Sequence, residues 1–117
     1  MKAARLTVYC PRRSQGDTPL HEQMRYEFSR AFGGCTLLLG EGEWVDPRNE
    51  HVVEPVAVVQ VMLEPEIVPS AVALAQAILA KADEQVMCYT VEETNVEFVQ
   101  LQADEPPAGK SDSPELP

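Results

Sequence analysis

Apolar and polar side chains alternate along Arg5-Leu6-Thr7-Val8-Tyr9-Cys10. Leu6, Val8 and Cys10 fall on one side and Arg5, Thr7 and Tyr9 on the other, which predicts a strand with one buried face. Pro11 ends it, and residues 12–17 form a polar loop. Thr18 is placed to cap a helix whose first residue is Pro19. Leu20, Met24, Phe28 and Phe32 then recur every four residues, with Ala31 beside them, the stripe of an amphipathic helix. Gly33-Gly34 stops it, since glycine accepts the left-handed conformation of a helix end.

Cys35 to Leu39 predicts a second strand, continued irregularly through Gly40-Glu41-Gly42-Glu43-Trp44, where the glycines suggest a bulge or close backbone approach. Asp46-Pro47-Arg48-Asn49 has turn composition. The valine-rich run His51 to Leu63 predicts a third strand that pairs with the second as a hairpin. Pro55 lacks an N–H and belongs at a bulge or on a free edge. From Ser70, Ala71, Val72, Ala75, Ile78, Leu79 and Ala82 share one stripe of a second helix. Val86 to Val91 predicts a fourth strand, Glu92 to Asn95 a turn, and Val96 to Leu101 a short fifth strand.

Two helices with one apolar stripe each must cover the same face of the sheet. The order predicts an α+β protein, a ferredoxin-like split βαβ sandwich: an antiparallel sheet, two helices on one face and an extra C-terminal hairpin strand. The first strand is expected at the centre. Its other face carries Arg5, Thr7 and Tyr9, and a second copy of the chain is the expected cover, hence a homodimer. Residues 1–102 are read as this domain. Residues 103–117, ADEPPAGKSDSPELP, hold four of the ten prolines and no apolar periodicity, and are read as a flexible acidic tail.

Charge narrows the choice of partner. Nineteen acids against nine bases give a net charge of −10. Residues 1–30 hold six bases and three acids, residues 31–102 two bases and twelve acids, and residues 103–117 one base and four acids. Nucleic-acid binders cluster Lys and Arg, so direct binding to DNA or RNA is not expected, nor is an anionic membrane surface. An acidic patch suits a basic protein partner or serves solubility. No apolar run reaches the ~18 residues of a membrane span, and no signal peptide is read at the start. Three cysteines make an incomplete disulfide set, so a reducing cytoplasm is expected, that of the host if a phage encodes the chain.

The run Phe32-Gly33-Gly34-Cys35-Thr36-Leu37, then Gly40-Glu41-Gly42-Glu43-Trp44, then Glu54 on a valine-rich strand, resembles a loose group of small proteins from phages, plasmids and bacteria. Their pattern is a helix ending in Phe-Gly-Gly, a Thr on the next strand, a Gly-rich stretch before Trp and a Glu on the strand after it. The resemblance spans about residues 20–100. It implies the ferredoxin-like fold, a frequent mobile-element context and no established activity.

Candidate chemistry is sparse. Cys10, Cys35 and Cys88 with His21 and His51 form no metal-ligand spacing, so no metal or cofactor is assigned and the cysteines are read as core. No catalytic residue is assigned. Glu41, Glu43, Trp44, Asp46, Glu50 and Glu54 form the candidate partner-contact surface, with Trp44 as anchor or as a plug for the sheet core. Arg12, Arg13, Ser14 and Thr18, just before a helix N-terminus, form a candidate anion site. Tyr9, Tyr89 and Phe98 are candidates to line a sheet-face cavity. The leading expectation is a non-enzymatic interaction module of a mobile element, whose acidic surface blocks a basic nucleic-acid-binding partner as an anti-CRISPR-like inhibitor of host defence. The alternatives are a dimeric ferredoxin-like anion binder or cofactor-free enzyme using the Arg12-Arg13 loop, and a structural phage or plasmid component.

Overall fold

A computed structural model describes residues 1–101; the 103–117 tail expectation lies outside the described residues. Ten residues, Lys2–Pro11, form β1. A two-residue ladder, β2 (Ser14–Gln15) with β3 (Thr18–Pro19), leads into α1 (Leu20–Phe32). The hairpin β4 (Thr36–Val45) and β5 (His51–Leu63) follows, then a 3₁₀ turn over Pro65–Ile67, α2 (Val68–Lys81) and β6 (Cys88–Asn95). The main sheet runs β4-β5-β1-β6 with every neighbouring pair antiparallel. The chain is α+β, with a four-stranded antiparallel sheet and two helices, compatible with a ferredoxin-like fold.

The core follows the alternation of β1. Leu6, Val8 and Cys10 are fully buried, as are Ala57 and Val59 opposite them on β5. Leu20, Met24 and Phe28 of α1, and Ala71, Ala75 and Leu79 of α2, close over the same face. The alanines let α2 lie close to β1, while α1 supplies bulk: Phe28 meets Phe32 edge-to-face at 5.7 Å between ring centroids. Gly33 ends α1 at φ 91°, a left-handed cap whose N–H donates to the Ser29 carbonyl.

The structure departs from the sequence reading in four places, each for a local reason. Thr18 does not cap α1: the Gly16-Asp17 turn pairs Gln15 with Thr18, Pro19 takes the cap position, and the Leu20 N–H donates to the Arg13 carbonyl. Gly40 and Gly42 make no bulge; the β4–β5 register is unbroken from Thr36↔Gln60 to Val45↔His51. The fourth strand lies later than expected, over 88–95. Glu92 and Glu93, turn-like by composition, continue the ladder opposite Arg5 and Ala4, with Glu92 paired to Arg5 and Glu93 3.9 Å from Lys2. Residues 96–101 form no fifth strand, since the residues expected to turn extend the fourth strand along β1 instead.

Phe28 carries the largest fully buried side chain. Phe28→Ala is expected to cost about 3–5 kcal/mol and to lower the melting midpoint by more than ~10 °C. Tyr26→Ala, on the exposed side of the same helix, is expected to change stability by under ~0.5 kcal/mol. Thermal melts of both variants measure the contrast.

Candidate functional site

β1 stops at Pro11, paired with Val56, but β5 begins five residues earlier at His51. The hairpin therefore runs past the end of the sheet as a two-stranded ribbon. Beside Glu54 and Pro55 no strand replaces β1, so Pro55 lies on a free edge, as its missing N–H requires. The step holds a cavity of about 520 Å³, lined by Tyr9 and Pro11 of β1, Trp44, Glu54, Pro55 and Val56 of the hairpin, Glu84 and Val86 of the α2–β6 connection, and Cys88.

Register explains the meeting. Tyr9 and Cys88 are paired neighbours on the sheet face away from the helices. Gly42 and Trp44 lie on that same face of β4, opposite Glu54 and Val52. A Cβ on Gly42 would stand 3.0 Å from Cζ3 of Trp44 and 4.0 Å from a Val56 methyl. The indole thus lies along the strand over the glycine, beside Glu54. A Cβ there would be tighter than ordinary contact, so glycine suits the close approach of the ring, which remains 48% exposed. Trp44 is not a plug for the core; it forms one wall of the cavity, with Tyr9 on another.

The cavity is acidic and aromatic. Two carboxylates, Glu54 and Glu84, line it, and no Lys or Arg does. Glu84 is partly neutralised by Arg13, whose Nε lies 2.9 Å from its Oε2. Aromatic faces beside a carboxylate suit an organic cation or a flat ring with a positive group.

The six residues of the expected contact surface do not form one patch. Strand alternation sends Glu41 and Glu43 to one side of the ribbon and Trp44 and Glu54 to the other. Glu43 Oε2 meets His51 Nδ1 at 2.7 Å on the exposed side. Asp46 belongs to the turn: its Oδ1 accepts the backbone N–H groups of Arg48 and Glu50, each at 2.9 Å. Glu50 lies 3.5 Å from Arg48.

The expected anion residues are also separated. The Arg13 guanidinium donates to the Ala82 carbonyl and pairs with Glu84, closing the C-terminal end of α2. Arg12 is exposed, and Thr18 lies in the small ladder. Of the three aromatics expected at a sheet face, only Tyr9 lines this cavity. Tyr89 pairs with Val8 and so faces the helix side, and Phe98 borders a separate hollow of about 390 Å³ with Arg5, Phe32 and Met62. The pairing of Tyr9 with Cys88 is fixed by the shifted fourth strand, so sequence alone could not bring Cys88 to the site.

Among the described residues, no three His, Cys, Asp or Glu side chains gather as a metal cage, and no helix is long and apolar enough to cross a membrane. No protein-family model matches the chain, and no curated protein matches it. Among solved structures it is similar to a phage SAM lyase in complex with S-methyl-5'-thioadenosine, at 14% identity and TM-score 0.51, covering 79% of this chain and 80% of that one. This likeness extends to the fold.

The cysteines differ sharply in environment. Burial, and secondarily the Glu84 carboxylate, push the Cys10 thiol up to about 12 from an ordinary value of 9.0. Cys88 is exposed. At pH 8 iodoacetamide is expected to alkylate Cys88 readily and Cys10 only in denaturant, read by peptide mass spectrometry. The unfolded chain ionises Cys10 above pH 9 while the folded chain holds its proton to about pH 12. Stability should therefore fall across that window, and less steeply in Cys10→Ala, as denaturant melts at successive pH values will show.

Proposed function

We propose that the cavity at the end of the sheet is a small-molecule site for a sulfonium nucleoside, and that the chain acts on S-adenosylmethionine as a cofactor-free lyase. The observation that carries this reading is the meeting of Trp44, Tyr9 and Glu54 around about 520 Å³ free of basic side chains. An indole and a phenol offer stacking faces to an adenine and cation–π attraction to a sulfonium or ammonium. Glu54 supplies the matching negative charge. The likeness to a phage SAM lyase supports the choice of ligand. Such a reaction releases neutral S-methyl-5'-thioadenosine as the C–S bond pair passes to the sulfonium sulfur, while the carbon left behind gains a bond either to the substrate's own carboxylate oxygen, closing a lactone, or to its neighbouring carbon as that carbon's proton passes to a base. The Glu54 carboxylate is then placed to hold the positive end of the departing fragment or to accept its proton. The topology is taken to be the split βαβ sandwich, with the site at the sheet end where β1 falls short of the hairpin.

Trp44 is the chain's single tryptophan, so its emission reports the site directly. Titration with S-adenosylmethionine is expected to change that emission, and S-adenosylhomocysteine, which lacks the sulfonium charge, should bind at least ~10-fold more weakly, about 1.4 kcal/mol. Glu54→Gln should lose the same margin, and Tyr9→Ala should weaken both ligands. Chromatography of the mixture is expected to show S-methyl-5'-thioadenosine. Unchanged Trp44 emission at millimolar ligand, or equal affinity in Glu54→Gln, would sink the assignment.

A second reading keeps the ribbon as a protein-contact arm for a basic partner, such as a host nucleic-acid-binding defence protein. It is favoured by the arm's projection beyond the sheet with Glu41, Glu43 and Glu50 all exposed. Reversing those three to Lys is expected to leave the melt nearly unchanged, because exposed ion pairs contribute little, and to abolish salt-sensitive capture of the partner. Retained capture by the triple variant at low salt rejects this reading.

A further inference from the structure

Residues 97–101 continue a strand-like run that starts at Val96, and they pair with no strand among the described residues. Val96-Glu97-Phe98-Val99-Gln100-Leu101 is rich in strand formers and contains neither Gly nor Pro. Phe98 is 83% exposed, Val99 70% and Leu101 89%. Val96 still belongs to the end of the β1–β6 ladder, where its N–H donates to the Met1 carbonyl at 2.9 Å. Beyond it, Glu97 to Leu101 make no hydrogen bond among the described residues.

The matching vacancy is the outer edge of β4. Among the described residues nothing in the sheet lies outside β4. Its first five residues, Thr36-Leu37-Leu38-Leu39-Gly40, carry no charge, and the whole strand contains no Lys, Arg or Pro, the residues that usually guard an edge. Leu38 and Leu39 are more than half exposed. Alternation also agrees: Leu37 and Leu39 share one face of β4 with Leu38 on the other, as Val99 and Leu101 share one face of the segment with Phe98 on the other.

The segment cannot reach either edge of its own sheet as a strand. A strand outside β4 would lie four inter-strand spacings from β6, ~19 Å. Six extended residues span at most ~20 Å, so the crossing would consume them. Folding back on β6 would spend at least two residues after Val96 on a turn and leave three.

We propose that residues 97–101 of one copy add as a strand to the free edge of β4 in a second copy, and that reciprocal exchange closes a two-fold dimer. Between chains of net charge −10 this contact avoids repulsion, because Glu97 is the only charge among the paired segments 97–101 and 36–40. The proposal is independent of what the cavity binds.

Light scattering and amide exchange on the full chain test it. Between ~1 and ~200 µM the mass is expected to rise from one copy to two, with exchange at 97–101 and at 36–40 slowing at least ~10-fold together. Leu38→Lys, and separately Val99→Lys with Leu101→Lys, should each keep the mass at one copy with an unchanged melt. Tyr26→Lys, exposed on α1, should dimerise like the parent chain. A monomer at ~200 µM overturns the proposal. So does a dimer that survives both edge variants, or one whose protection appears on the strands facing away from the helices instead of at 97–101.

Discussion

β1 is hydrogen-bonded along both edges, to β5 and to β6, and where it stops decides the shape of that end of the molecule. Along its length it does ordinary central-strand work, with Leu6, Val8 and Cys10 against the helices. On the other face Thr7 is buried and accepts a hydrogen bond from the Gln60 side chain at 3.4 Å. At Pro11 the ladder ends, since proline cannot continue donating to a neighbour. The hairpin does not end there. The cavity is the volume left by a missing stretch of central strand, and its walls are the residues that would otherwise have packed on it.

This end is also where opposite charges are arranged most economically. Arg13 leaves the β1–α1 loop and binds both the Ala82 carbonyl and the Glu84 carboxylate. A cation at a helix C-terminus is favourable, and here it also offsets one of the two acids lining the cavity. Glu54 has no such partner among the described residues. The unpaired carboxylate beside two aromatic faces therefore leaves the lining net negative, and the arginine expected at an anion site instead closes a helix.

The elements legible from sequence were those set by long-range periodicity. The stripe of Leu20, Met24 and Phe28, the alternation of β1, the β4–β5 hairpin and the Gly33 stop all stand as read. What failed were positions whose meaning depends on a partner strand. Glu92 to Asn95 has the composition of a turn until Arg5 and Lys2 are placed opposite it. Gly40 and Gly42 suggest a bulge until Trp44 is seen lying over the second of them. The five acids and Trp44 of residues 41–54 look like one cluster in a linear text, but strand alternation divides them between two faces. Glu54 and Trp44 were singled out for contact chemistry and do meet; Tyr9 and Cys88 join them only through a register that no local signal encodes.

A two-stranded ribbon beyond the edge of a sheet is marginal by itself, so its order needs a local cause. One is the turn, where Asp46 accepts two backbone N–H groups and holds Asn49 at φ 67°. The other is the indole laid over Gly42, which covers the backbone on the cavity side where β1 no longer supplies packing. The same ring placement that orders the arm also exposes half of Trp44 to the cavity. Under the proposed function, stability of the arm and recognition in the cavity draw on one contact. A ligand stacked on that ring would add to the packing that the indole already provides, and so would order the arm further as it binds.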